Sequence, residues 1–207
     1  MSWLSLLDYA SVLVFALTGA LVASRAQLDL VGFIFIATLT AVGGGTVRDL
    51  VLDRNPIFWL AEPLNLAIAA GAAVVVFFTA HRLESRYTVV VWLDALALAV
   101  AVSAGVAAAQ SVGQPWAIAI IMGVVTGCMG GLMRDVVCNE VPLVLKQGEL
   151  YVTAALAGAC AASLANWLTG DVRIALAACT ALTFVLRAGS IRRGWHIPVY
   201  KPRPPRS

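Results

Sequence analysis

Displaced by 86 residues, the chain lies on itself. Asp8 falls on Asp94, Gly19 on Gly105, Thr40 on Thr126, Gly44-Gly45 on Gly130-Gly131, Arg48-Asp49 on Arg134-Asp135 and Pro56 on Pro142. The alignment needs no gap over about fifty residues, and it pairs charged residues that stand in apolar surroundings. Such self-similarity marks a duplicated structural unit.

The surroundings say where that unit folds. Hydrophobic residues make up 61% of the 207, charged residues 12%, and mean hydropathy is +0.90. A soluble domain carries about 25% charged residues. One this small could not hide so much apolar surface, so lipid must cover the excess. About 20 apolar residues span a bilayer. Seven such stretches fit, at about 5–24, 29–52, 57–80, 88–109, 114–138, 149–169 and 172–190. All six tryptophans fall near span ends, where amphipathic rings prefer the interface. Met1 to Ala10 lacks the basic start of a cleaved signal, so the first stretch reads as a retained span. Cys128, Cys138, Cys160 and Cys179 lie within apolar segments without a CxxC pair, and read as buried thiols.

Each copy holds three spans. An odd number sends the second copy into the membrane from the opposite face. The reading is therefore an all-α integral membrane fold of seven transmembrane helices in one membrane domain, 1–207. Its parts are an inverted repeat (about 5–80 and 88–169), a seventh helix (about 172–190) and a basic tail, 191–207.

Seven spans put the termini on opposite sides. Arg25, Arg82, Arg86, Lys146, Arg187, Arg192, Arg193, Lys201, Arg203 and Arg206 collect on the C-terminal side, against Arg54 and Arg173 on the other. Ten against two predicts a cytoplasmic C-terminus and an outside N-terminus, in a multi-pass protein of the cell (inner) membrane. The Pro-rich stub Lys201–Ser207 reads as an irregular segment able to touch anionic lipid. A net charge of +3 is too small to suggest nucleic acid.

Glycine clusters mark the second and fifth spans: Gly43-Gly44-Gly45-Thr46-Val47-Arg48-Asp49, and Gly127 to Asp135 with Gly130-Gly131. Each glycine weakens a helix by about 1 kcal/mol against alanine. Two readings stand. Gly123, Gly127 and Gly131, matched by Ala37, Ala41 and Gly45, form a small-residue stripe for close helix packing. The other adds to that packing a break, or kink, of each helix at its glycine cluster, which exposes backbone to a solute path. The second reading expects leucine at Gly44 and Gly130 to block permeation while the protein still inserts.

Asp8, Arg48, Asp49, Asp94, Arg134 and Asp135 lie within apolar spans. At roughly 2.5–3.5 kcal/mol for each centrally placed charge, six unpaired ones would cost about 15 kcal/mol or more. They must be paired or hydrated. Depth along the spans pairs Asp8 with Arg48 and Asp94 with Arg134. Neighbouring residues do not share a helix face, so Asp49 and Asp135 are expected to cap backbone or face water.

Paired GGxxRD motifs, Gly44-Gly45-Thr46-Val47-Arg48-Asp49 and Gly130-Gly131-Leu132-Met133-Arg134-Asp135, resemble those of the trimeric intracellular cation channels, prokaryotic branch. The same tandem unit is also called a glycine-transporter domain. The resemblance implies a homotrimer with one pore per protomer, permeable to potassium and sodium and needing no cofactor. It implies a pore lined by the second and fifth helices: Thr40, Gly43, Gly44, Gly45, Thr46, Arg48, Asp49, Thr126, Gly127, Gly130, Gly131, Arg134 and Asp135. The rival is a secondary transporter for a small amino acid such as glycine, because inverted repeats suit alternating access equally. An intramembrane enzyme ranks third. The only histidines, His81 and His196, lie in a loop and the tail, and HExxH, GxSxG and P-loop patterns are absent, as is any metal-ligand cluster.

Overall fold

The computed structural model describes residues 3–83 and 85–198. It contains α1 (Trp3–Arg25), α2 (Leu30–Val51), a one-turn α3 (Phe58–Ala61), α4 (Leu64–Thr79), α5 (Arg86–Ser111), α6 (Trp116–Val137), α7 (Val152–Thr169) and α8 (Val172–Arg193). Short 3-10 turns follow α4 at Ala80–Arg82 and α6 at Leu143–Leu145. Seven of the helices are long and apolar enough to cross a membrane. A 22-residue helix such as α2 is about 33 Å long, enough for a hydrocarbon core of about 30 Å.

Local chemistry sets the boundaries. The Asp29 carboxylate accepts the Gly32 N–H at 2.8 Å and starts α2. Ser85 caps α5 and Asp171 caps α8 in the same way. Gly170 and Gly194 adopt the left-handed conformation that ends α7 and α8. The third span departs from its expected extent of 57–80. Pro63 cannot continue a hydrogen-bonded turn and keeps Glu62 out of the helical region, at φ −127° and ψ 82°, so the segment splits into α3 and α4. The seventh helix runs to Arg193, and its last turn takes the first residues assigned to the tail. Lys201–Ser207 lies outside the described residues.

Helices α1, α2 and α4 pack on one another, and α5, α6 and α7 repeat the arrangement from the opposite side. The two units meet where α1 packs on α5 and α2 on α6, and α8 lies against α5 and α7. Each unit has its own apolar core. α1 and α5 are the most enclosed helices. The outward faces of the rest are bare hydrocarbon: Phe35, Phe78, Leu50, Val136 and Leu164 are exposed, and Trp167 is 80% exposed. In water this would be an untenable apolar surface; in lipid it is the solvated face. Cys128 and Cys179 are buried as expected, Cys138 is half-buried, and Cys160 sits on the exposed face of α7, where lipid replaces a protein core.

Gly43–Gly45 in α2 and Gly127–Gly131 in α6 are assigned as helix throughout, so the chain is not unwound at either glycine cluster. The glycines serve close approach. A Cβ on Gly44 would stand 2.3 Å from the Thr126 carbonyl oxygen, and one on Gly130 would stand 2.4 Å from that of Thr40. Backbone touches backbone at two points related by the repeat, so only hydrogen fits between α2 and α6.

Candidate functional site

The charged residues of each unit converge near the ends of α2 and α6. In the first, Arg48 donates through Nη1 to Asp8 Oδ1 at 2.9 Å and through Nε to Asp49 Oδ1 at 2.8 Å. Arg54 Nη1 donates to the same Asp49 oxygen at 2.9 Å, and Asp49 Oδ2 accepts the Phe58 N–H at 2.8 Å. In the second, Arg134 Nη1 reaches Asp94 Oδ1 at 3.0 Å and Nε reaches Asp135 Oδ1 at 2.7 Å. Asp135 Oδ2 accepts the Leu143 N–H at 2.9 Å. Both arginines are fully buried. Each keeps one Nη2 without a partner in the described structure.

One expectation needs correction. Arg48 does engage its neighbour Asp49, and Arg134 engages Asp135. Helix geometry sets only the Cβ positions, whereas the long arginine arm carries its fork back across the helix, leaving Nε on one carboxylate and Nη1 on another. The same aspartates use their second oxygen to cap the backbone that follows the helix.

Other candidates fall into two groups. Asp8, Thr40, Gly44, Gly45, Arg48 and Thr126 line a cavity of about 10 Å³ at the α2–α6 crossing, together with Ser11, Phe15, Ala41, Phe58 and Ala101. It admits about one water. Thr40 and Thr126 turn their hydroxyls back to the Ile36 and Met122 carbonyls, each at 2.6 Å. The remaining residues meet packed side chains. Gly43 faces Met133, Gly127 faces Val102 and Leu98, and Gly131 faces Tyr151 and Asp94. Thr46 accepts a hydrogen bond from Trp59 Nε1 at 2.9 Å.

The halves differ beyond this frame. A cavity of about 150 Å³ opens beside Asp8, lined by Ser5, Arg54, Phe58, Glu62 and Asn65 among others. In the second unit the Tyr151 hydroxyl donates to Asp94 Oδ2 at 2.8 Å. Behind Tyr151 stands Arg187, fully buried, its Cζ 5.0 Å from the ring centroid and its Nη1 donating to Glu149 Oε2 at 2.7 Å. The sequence reading placed Arg187 among the interfacial cations and did not single out Tyr151. Burial removes Arg187 from that tally, which becomes nine against two. Neither residue lies in the repeated motif, so the repeat carried no signal for them.

Two inverted three-helix units enclosing charged clusters at their crossing define a multi-pass membrane protein of the inverted-repeat class. The sequence model of the glycine transporter family matches residues 5–81 and 91–167, once in each unit. The chain is similar, at 42% identity and a TM-score of 0.90, to the trimeric intracellular cation channel orthologue from Rhodobacter sphaeroides, over 94% of this chain and 100% of that one. It is 36% identical to the inner membrane protein YadS of Escherichia coli (strain K12), over 92% of both chains. It is also 36% identical to a UPF0126 membrane protein of Vibrio cholerae, over 95% of this chain and 81% of that one. The chain belongs to the glycine transporter domain family, in its prokaryotic trimeric intracellular cation channel branch.

Proposed function

We propose that the protein is a channel for monovalent cations, potassium and sodium, with one path through each protomer of a homotrimer in the cell (inner) membrane. The observation that carries this reading is the cavity at the α2–α6 crossing, which both units line and which buried charge flanks. Four carboxylates, those of Asp8, Asp49, Asp94 and Asp135, are buried with two repeat arginines, Arg48 and Arg134, a formal balance of −2. Half-buried Arg54 brings it to −1, and Arg187 is matched by Glu149. A low-dielectric interior with excess negative charge favours a cation over an anion. The similar protein from Rhodobacter sphaeroides is described as a trimeric cation channel, which supports both the ion class and the assembly. Here the path is narrow, so conduction requires the two units to separate slightly at their crossing.

Purified protein in planar bilayers under a KCl gradient should give unitary steps with a linear current–voltage relation. The current should reverse near the potassium equilibrium potential. Absence of unitary current, with saturable ion-coupled glycine uptake in proteoliposomes, would instead assign the carrier activity that the family description names.

The basic residues Arg25, Arg82, Arg86, Lys146, Arg192 and Arg193 belong to the end of the bundle where α8 finishes. By the positive-inside rule this end is the cytoplasmic one. A C-terminal green fluorescent protein fusion should fluoresce, and a C-terminal alkaline phosphatase fusion should be inactive. The reverse pattern would overturn the orientation.

A further inference from the structure

A recess of about 660 Å³ runs along the outer face of the bundle, apart from both charged clusters. Helices α1 and α8 both pack on α5 and scarcely touch each other, so a groove remains between them. Ala177 and Ala181 of α8 line it where larger side chains would close it, and Leu7, Val172 and Leu176 complete its apolar walls. The groove follows α8 from Asp171 to Ala181, about 15 Å, which is the depth of one hydrocarbon leaflet. Its polarity is graded. Asp171 and Arg173, both exposed, stand at its mouth, at the end of the bundle opposite the basic residues. Thr180 is the polar residue at depth, and its hydroxyl is already spent, donating to the Leu176 carbonyl at 3.0 Å and lying 2.6 Å from Ser103 Oγ. The inner part therefore offers a ligand hydrocarbon contact alone, and the mouth offers one charge of each sign.

We propose that this groove binds a phospholipid whose headgroup joins a phosphate to a primary ammonium, a phosphatidylethanolamine, with one acyl chain laid between α1 and α8. Charge complementarity identifies the occupant. Arg173 presents a guanidinium suited to the phosphate. Asp171 Oδ1 takes the Arg173 N–H at 2.7 Å as the cap of α8, and the carboxylate has lone pairs left for an ammonium N–H. A choline headgroup has no N–H to give, and a headgroup of net negative charge would set that charge against Asp171. The neutral sum at the mouth matches a zwitterion. The other shape that fits a groove is a helix of a second copy. At about 10 Å across, it would have to pass Asp171 and Arg173 at the surface and strip water from both, a cost that an acyl chain ending below them avoids. The bound chain supplies the packing that α1 and α8 lack with each other. The site is independent of the proposed cation path, since none of its residues belongs to α2, α6 or either charged cluster.

The test titrates delipidated full-length protein in detergent with dioleoyl phosphatidylethanolamine or dioleoyl phosphatidylcholine, and counts bound lipid by native mass spectrometry. Wild type should bind the ethanolamine lipid about fivefold more tightly, the value of one exposed ion pair at the upper end of its range. Asp171→Asn keeps the cap of α8, because asparagine caps as well as aspartate, but removes the charge. It should abolish that preference and leave the thermal midpoint in detergent alone unchanged. Ala177→Phe, at an exposed position, fills the groove and should weaken binding of both lipids by about tenfold, the effect of displacing two methylene groups. Equal affinity of wild type for the two lipids, or a wild-type preference in Asp171→Asn, would overturn the inference. Unchanged lipid binding in Ala177→Phe would put the lipid elsewhere on the bundle and overturn it as well. A change in the oligomeric mass of Ala177→Phe in detergent alone would give the groove to a second copy, again against the proposal.

Discussion

Asp94→Asn should lower the stability of the detergent-solubilised protein by about 3–5 kcal/mol, the cost of removing one partner from a buried ion pair. Asp94 is fully buried and accepts from Arg134 at 3.0 Å and Tyr151 at 2.8 Å. The amide cannot repay the guanidinium, and one of its two faces would present N–H to a donor. Arg134→Gln should cost at least as much, because it leaves Asp94 and Asp135 buried together with no cation between them. The double variant should lose less than the sum of the two, with a coupling energy of about 2–3 kcal/mol at the upper end for contacting residues. The corresponding cycle at Asp8 and Arg48 should give a smaller coupling. There Arg54 still neutralises Asp49 when Arg48 is removed, and Asp8 borders an open cavity. Unfolding in graded denaturant measures all four corners of each cycle. Additive losses at both sites would mean that the observed pairs contribute nothing specific and that Asp49 and Asp135 are the true partners.

Gly44→Ala and Gly130→Ala should each destabilise the bundle by about 1–3 kcal/mol or more, the range for forcing atoms into a packed interior. The added methyl would meet a main-chain oxygen at 2.3 Å or 2.4 Å, and a carbonyl within a helix cannot rotate aside as a side chain can. The only relief is to push α2 away from α6, which opens the crossing that both charged clusters flank. Leucine at these positions should prevent folding rather than merely fill the path, which reverses the expectation drawn from helix breaks. Gly71→Ala supplies the control. Nothing lies within 4 Å of the Cβ it would add, so it should be neutral or gain up to about 1 kcal/mol of helix propensity. The thermal midpoint of the purified protein separates these outcomes, and a Gly44→Ala midpoint equal to wild type would show that the crossing is looser than the geometry requires.

Much of the architecture is legible in the sequence, and the reason is geometric. A helix rises by a fixed 1.5 Å per residue, so position along a span translates directly into depth. Depth alone paired Asp8 with Arg48 and Asp94 with Arg134, and the structure brings those side chains to 2.9 Å and 3.0 Å. The same constancy made the 86-residue register and an odd number of spans sufficient to read an inverted repeat. Rotation about a helix axis and the reach of a side chain obey no such rule. Whether the glycines of α2 and α6 mark a break or a close crossing depended on what stands opposite them, and only packing places the Thr126 carbonyl against Gly44.

The sequence by itself determined the membrane class, the duplication, the inversion and the need for the intramembrane charges to find partners. Each follows from the cost of apolar surface in water or of charge in lipid. The tertiary structure alone decided that Arg48 holds Asp49 as well as Asp8, that Arg187 leaves the interface for the interior, and that Tyr151 covers Asp94 while Asn65 leaves Asp8 open. The burial of Arg187 and the cover over Asp94 depend on α8 lying against α5 and α7. That helix has no counterpart in the first unit, and it makes two equivalent sequences fold into unequal halves.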